Sequence, residues 1–366
     1  LTPRQGFLFD FGVEGVNFYN RQQKYADGAQ TTSRTSYNTF NFHDIAFQLP
    51  LARRLGLGFS LTPYSSVGYR VSADEQSDDV WGNIGRVQYL YAGEGDLTEV
   101  KLGIGWEVVK RVSIGVAAQY YWGDIERTYQ TVVSNNIVNG GSVNTVTGTD
   151  SYGISRIKMQ LGLQADLIQS ERQVLTLGAT YDMGGNLRPS VNQTVVNGDI
   201  YGTVVRGDTT RMALKLPVQL GVGLYYQNAK IAAGVDYIYQ NWENNESPKS
   251  VPGAVNVAYK NTNTVKLGFE YTPNRMDIRN YLKRWSYRVG FRYGTYYQTF
   301  EGKTLSQYAV TAGFGMPVRF LGRSSIDFGV EFGQRGNDSP LRIDNRQIGL
   351  VRQRYVKFSL GLTLFG

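Results

Sequence analysis

The stretch Arg211–Tyr226, RMALKLPVQLGVGLYY, narrows the possible folds more than any other part of the chain. From Met212 onward every second residue is apolar: Met212, Leu214, Leu216, Val218, Leu220, Val222, Leu224 and Tyr226. The intervening set, Ala213, Lys215, Pro217, Gln219, Gly221, Gly223 and Tyr225, is small, polar or charged. A period of two means a strand, because successive side chains point to opposite faces. A strand of a soluble sandwich usually ends after about six residues. A strand that crosses a tilted membrane barrel needs roughly nine to eleven, with lipid on one face and water or polar side chains on the other. The stretch suits the second description.

The same alternation recurs along the whole chain. Val100, Leu102, Ile104, Trp106 and Val108 alternate with Lys101, Gly103, Gly105 and Glu107; Ile326, Phe328, Val330 and Phe332 alternate with Asp327, Gly329, Glu331 and Gly333. Fourteen such strands are predicted, the odd ones from the third onward starting near residues 55, 112, 174, 230, 286 and 325. Short connections near 53, 110, 171, 228, 279 and 322 alternate with mostly long polar ones at about 20–36, 72–86, 132–149, 191–210 and 241–256. Of these, 132–149 reads as a hairpin projecting beyond the membrane, and Pro273–Arg284 as a connection with a helical turn. Short turns on one rim and long loops on the other are the pattern of an outer-membrane barrel, with short periplasmic turns and long extracellular loops. An even strand count then puts both termini in the periplasm.

Average hydropathy does not argue against this. Mean hydropathy is −0.32 and no apolar run reaches about eighteen residues, so no transmembrane helix is expected. A barrel hides its apolar half in alternation. The 43 Gly and 26 Tyr fit small inward residues and aromatic girdles at the membrane interfaces. With no Cys, disulfide scaffolds, thiol enzymes and Cys metal sites drop out. The net charge of +8 is spread over strand faces and turns, without a basic helix or an aromatic RNA-binding motif. An acidic membrane surface, or carboxylates across a lumen, therefore fits better than nucleic acid. Residues 1–366 read as one barrel domain. The chain opens Leu1-Thr2-Pro3, so a preceding N-terminal signal is expected to be cleaved or to lie outside this sequence.

The apolar face of every strand needs cover, and no set of amphipathic helices supplies it. Lipid needs no protein cover, and closing the sheet removes edge groups that hydrocarbon cannot solvate. Fourteen strands exceed the roughly eight at which side chains just fill a barrel. The lumen must hold water, a plug or inward polar groups. The inward positions are predicted to carry Asp10, Glu14, Asp44, Lys101, Glu107, Lys158, Asp166, Lys215, Asp236, Lys266, Glu270, Arg288, Arg292, Asp327, Glu331 and Lys357. These charges read either as a self-neutralising lattice of ion pairs or as the lining of a polar conduit. No inward-folding loop is evident from the sequence.

Catalysis has little to stand on. His43 is the one histidine, and its neighbour Asp44 is expected to face the other side of the strand, so the two do not make a triad arm. No His/Cys/Glu cluster has metal-ligand spacing, and no cofactor is expected. The acidic run Asp74, Glu75, Asp78 and Asp79 is read as a solvated loop rather than a weak calcium site. The sharper candidate is Pro63-Tyr64-Ser65-Ser66 inside the third strand. Proline lacks the ladder donor and marks a bulge or break, and unpaired backbone in a barrel wall is tolerated where it lines a cavity. The alternative is a proline at the rim that merely bends the strand.

Fourteen strands with a break in the third resemble the FadL family of long-chain fatty-acid and hydrocarbon transporters. The stretch Leu61-Thr62-Pro63-Tyr64-Ser65-Ser66-Val67-Gly68-Tyr69 is also similar to a motif of FadL-like barrels of gliding and gut-type Gram-negative bacteria. The resemblance implies a lateral opening at the kinked third strand, through which apolar substrate leaves the lumen for the membrane. It also implies an N-terminal hatch with an Asn-Pro-Ala motif, which this sequence does not contain. Some FadL-like barrels serve instead as subunits of secretion or barrel-assembly machines.

Two functions follow as expectations. The first is passive transport of small hydrophobic molecules, with release beside Pro63. The second is a structural subunit of a larger outer-membrane complex, bound to another outer-membrane barrel or a surface lipoprotein. Both place the chain among membrane lipids and lipopolysaccharide in a bacterial outer membrane, and neither is an enzyme.

Overall fold

The computed structural model describes residues 6–26, 29–75, 78–134, 143–197, 203–206, 210–211, 215–243, 257–318, 324–343 and 346–365. Fourteen strands form the wall. They are β1 (Leu8–Ala26), β2 (Ala29–Ala52), β3 (Leu55–Asp74), β4 (Arg86–Val109), β5 (Val112–Ser134), β6 (Val143–Gln169), β7 (Gln173–Asp182), β8 (Val218–Asn228), β9 (Ile231–Asn241), β10 (Thr262–Tyr271), β11 (Ser286–Phe300), β12 (Lys303–Val318), β13 (Ser324–Arg335) and β14 (Val351–Phe365). Each pairs antiparallel with the next. The ladder from Leu8 opposite Phe365 to Gln22 opposite Val351 joins β1 to β14 and closes the barrel. Among the described residues no helix is long and apolar enough to cross a membrane.

Five of the six short connections fall where the sequence places them, the one near 322 lying outside the described residues, and Tyr281–Arg284 forms a 3-10 turn in the longest of the five. On the other rim the described residues of 132–149 form the expected hairpin, with Ser134 opposite Val143, while other segments differ from the expectation of polar loops. The β1–β2 hairpin runs on to Ala26 opposite Ala29, so residues 20–26 and 29–36 are strand rather than loop. β4, β5 and β6 span 24, 23 and 27 residues, more than twice what a membrane crossing needs. Residues 72–86 contain the end of β3 and a short helix, α1 (Asp78–Asn83). Ser190–Asn197 adds to the upper edge of β6, and Thr203–Arg206 pairs with it in turn. These segments alternate Thr, Asn, Val and Tyr, and so satisfy a ladder without an apolar face.

The stretch Arg211–Tyr226 is not one strand. The wall strand β8 begins at Val218. Lys215–Leu216 pairs separately with Gly185–Asn186, and Thr210–Arg211 pairs with Ser190–Val191. Pro217, which has no N–H to donate, sits between the two ladders. The remaining eleven residues of β8 match one membrane crossing.

Inward and outward faces divide as the alternation requires. Leu102, Ile104, Trp106, Ile157 and Val289 are outward and exposed, while Ala117, Gln119 and Tyr121 on the lumen side of β5 are buried. Two glycines shape the wall between β4 and β5. Gly95 (φ +128°), opposite Ile125, and Gly123 (φ +151°), opposite Leu97, lie two rungs apart, and a Cβ on Gly123 would stand 2.0 Å from the Asp96 carbonyl oxygen. Gly123→Ala is therefore expected to lower unfolding free energy by more than about 2 kcal/mol in micelle urea titrations. Gly68→Ala, where a Cβ meets nothing within 4 Å, is the control and should stay within about 0.5 kcal/mol.

Candidate functional site

The wall has a seam. β2 pairs with β3 only from Ala52 opposite Leu55 to Ile45 opposite Leu61. Beyond that rung no ladder pair joins them among the described residues, although β3 stays paired with β4 up to Asp74 opposite Gln88. Two irregularities mark the point of divergence. The β1–β2 register shifts at Gly12/Val13, opposite His43, and the β3–β4 register shifts between Pro63 and Ser65. The missing donor of Pro63 and the extra residue Tyr64 together turn β3 away from β2. The Tyr64 ring stands edge-on to Tyr121, at 4.8 Å and 76°. Ser65 and Ser66 lie opposite Leu97 and Asp96 of β4. On β2 the Asn41 side chain accepts the N–H of Phe42 at 2.8 Å, a local substitute for a neighbouring strand.

The bulge at His43 corrects the expectation that His43 and Asp44 point apart. His43 Nδ1 lies 2.5 Å from Asp44 Oδ1, and its Nε2 lies 4.0 Å from Glu14 Oε2. Both residues line the same cavity, because a bulge suspends strict alternation.

In the half of the lumen near the short turns, charges meet in pairs. Lys357 Nζ donates to Glu14 Oε2 at 2.9 Å. Arg288 donates to Glu270 at 2.8 Å and also to Asp327. Arg292 donates to Glu331 Oε1 and to the Tyr355 hydroxyl, both at 2.8 Å, and that hydroxyl donates to Glu331 at 2.5 Å. Lys101 lies 3.3 Å from the buried Glu99. Asp236 and Lys266 occupy the same rung between β9 and β10. Asp10 accepts from Thr363, and Asp166 from Thr176. Lys158 Nζ stands over the Tyr121 ring at 5.6 Å. Two residues fall elsewhere: Glu107 accepts the N–H of Arg111 at the turn, and Lys215 sits in the two-residue ladder away from the wall. Two cavities of about 770 Å³ lie in this region, both touching Tyr225, Gly234 and Asp236.

Above them the lumen carries a layer that no charge pattern announces. Asp182, at the end of β7, is 7% exposed. Its Oδ1 accepts from Gln119 at 3.1 Å and Gln160 at 2.7 Å, and its Oδ2 from Gln219 at 3.0 Å. Gln240 donates to Gln219, and Thr262 and the Trp242 indole both donate to Gln240. The glutamines all stand at inward positions of their strands, which is the one sign the sequence gives of them.

Beyond Asp182 the chain leaves the wall and turns inward, contrary to the expectation of no inward-folding loop. Leu187 is 1% exposed and packs with Leu97, Tyr121 and Ile154, with Ile125 and Leu216 at the edge. Arg156 Nε donates to the Leu187 carbonyl at 3.1 Å. An apolar cluster thus fills the lumen beside the β4–β6 wall, and Tyr64 joins it through Tyr121.

A family model described as BamG matches residues 15–366. The chain belongs to the BamG family. This BamG-family barrel is similar in structure to a FadL homologue of Pseudomonas aeruginosa, with TM-score 0.63 and 12% identity over 98% of this chain and 90% of that one. It is also similar to the Ralstonia pickettii toluene transporter TbuX, with TM-score 0.53 and 14% identity over 99% and 90%. The Pseudomonas putida toluene transporter TodX gives 0.52 and 14% over 98% and 89%. At these identities the likeness shows the fold: a FadL-like outer-membrane barrel. No curated protein matches the sequence.

Proposed function

We propose that this BamG-family chain is a structural subunit of a larger outer-membrane complex, of the kind that assembles or secretes through other barrels, with both its termini in the periplasm. The observation that carries the reading is the set of side chains that stand in the lumen around and above its two cavities. A transporter of apolar molecules needs an apolar route from the lumen to its exit. Here the inward-turned segment around Leu187, the Asp182–glutamine layer and the ion pairs occupy that route. A scaffold uses such interactions to hold a large barrel rigid, and it presents its outer wall and tall strands to a partner.

Pull-down from native membranes in mild detergent tests this. Another outer-membrane barrel or a surface lipoprotein is expected to co-purify in stoichiometric amount. A lone barrel carrying bound fatty acid would overturn it.

A second reading rests on the seam. Strands that part at Pro63-Tyr64-Ser65-Ser66 offer a lateral opening for small hydrophobic molecules, with Tyr64 as its inner door. Under the scaffold reading, liposomes holding the barrel take up toluene no faster than empty ones. Faster uptake that Tyr64→Ala increases further would favour transport.

A further inference from the structure

The connection between β10 and β11, residues 272–285, is built unlike the other short turns. It is fourteen residues long by its bounds, and it is ordered by its own hydrogen bonds. Asn274 N–H donates to the Lys283 carbonyl at 2.8 Å and closes the loop. Asp277 Oδ1 accepts from the N–H groups of Arg279 (2.9 Å) and Asn280 (2.8 Å), and Asn280 Oδ1 accepts from Leu282 N–H at 3.0 Å. Those N–H groups, Asn280 first, hold the Asp277 carboxyl below the usual carboxylate range. A lowered pKa stabilises above the ordinary value and loses that effect as pH falls through the lowered one, so the loop keeps its shape at neutral pH.

This fixed loop holds apolar side chains out of the protein. Met276 is 80% and Ile278 is 92% exposed, with Leu282 beside them at 54%. Fixed, exposed apolar groups on a rigid loop mark a surface that something covers. The base of the loop points to what that is. Tyr281 donates to the Pro317 carbonyl, and Trp285 stacks on Phe314 at 5.0 Å, which in turn packs on Phe328. Phe314 and Phe328 belong to the outward, lipid-facing set of β12 and β13, so the loop continues the lipid-facing band at its rim.

Charge points the same way. The connections 53–54, 110–111, 170–172, 229–230 and 272–285 hold ten Lys or Arg against Glu171 and Asp277, an excess equal to the whole chain's +8. The basic character spread along the sequence is thus gathered on one rim. Arg279, Lys283 and Arg284 lie next to the exposed apolar residues.

We propose that residues 272–285 are an interfacial anchor. Met276, Ile278 and Leu282 enter the lipid leaflet at the short-turn rim, and Arg279, Lys283 and Arg284 hold the phosphates of anionic phospholipid headgroups. Amphipathic segments with a basic polar side and an apolar side bind membrane interfaces in this way. The anchor fixes the depth and tilt of the barrel at one point of its circumference. It does not depend on what the lumen does.

The absence of Cys makes the test direct. Met276→Cys, Ile278→Cys and, as a water-exposed control, Ser170→Cys are labelled with an environment-sensitive NBD dye. The full chain is placed in nanodiscs of phosphatidylethanolamine and phosphatidylglycerol. Labels at 276 and 278 are expected to emit further to the blue than at 170. Lipids with a nitroxide near the headgroup should quench them at least twofold more. Adding Arg279→Glu, Lys283→Glu and Arg284→Glu should return 276 toward the control. Emission and quenching equal to those at 170 would overturn the anchor and leave the loop to a soluble partner. Equal quenching in discs of neutral lipid alone would overturn the headgroup contact.

Discussion

Replacing Asp182 with leucine is expected to lower the unfolding free energy of the barrel by about 3–6 kcal/mol. Three amides, from Gln119, Gln160 and Gln219, converge on that carboxylate within 3.1 Å. Leucine takes away every acceptor and leaves the three donors. Each buried donor left unsatisfied costs roughly 1–3 kcal/mol. Gln119 is 3% exposed, so solvent offers it little. Asp182→Asn keeps the shape and one acceptor oxygen, and should lose only about 1–2 kcal/mol. Urea unfolding in detergent micelles, followed by tryptophan fluorescence, measures both. A leucine variant within about 0.5 kcal/mol of the parent would mean that water satisfies the glutamines, and the layer would no longer count as part of the plug.

The same substitution reaches the inward-turned segment. Asp182 is the last wall residue before the chain leaves β7, and Leu187 follows five positions later. Loosening the layer frees the stem that holds Leu187 against Tyr121 and Ile154. Asp182→Leu should therefore also raise single-channel conductance in planar bilayers.

What the sequence made legible was the wall. Its alternation marks every crossing because lipid outside and a polar lumen inside impose opposite demands on neighbouring residues. The short turns are legible because the alternation breaks there at Arg53-Arg54, Lys110-Arg111 and Ala229-Lys230. Of the tall strands above the membrane only the 132–149 hairpin was, from its alternating β-branched residues; in the others Thr, Asn and Ser on both faces carry no apolar signal. The plug was hidden for a related reason: Leu187 is a single apolar residue between Asn186 and Arg188, and its burial is decided by distant strands. Periodicity also misled. Met212 to Leu216 continues the alternation of β8, yet a pattern of faces does not identify a ladder partner, and Pro217 divides the stretch. The Asp182 layer escaped because its donors are neutral: the charge of Asp182 does not by itself reveal the glutamines that converge on it.

Arg292→Met is expected to cost about 2–4 kcal/mol, and that of the triple variant Arg292→Met/Glu331→Leu/Tyr355→Phe to be much smaller. Arg292 binds both Glu331 and the Tyr355 hydroxyl, and the hydroxyl closes the triangle on the same carboxylate oxygen. Removing the cation alone leaves a carboxylate whose side chain is 16% exposed with one hydrogen bond. The Arg292 side chain is 31% exposed, so water in the lumen screens part of the loss and keeps it below that of a fully buried pair. Removing all three polar groups leaves nothing unpaired, and apolar side chains of similar volume restore the packing. The Tyr355 ring position keeps its contact with Arg335, 4.9 Å above it. Conductance separates the two readings of the lattice. If these charges hold a scaffold together, the single variant changes stability and the triple variant recovers it, while conductance stays low throughout. If they line a conduit, ion selectivity shifts in the triple variant although its stability is restored. The first result would tie the lumen to the shape of the wall, which is the surface a partner barrel would recognise.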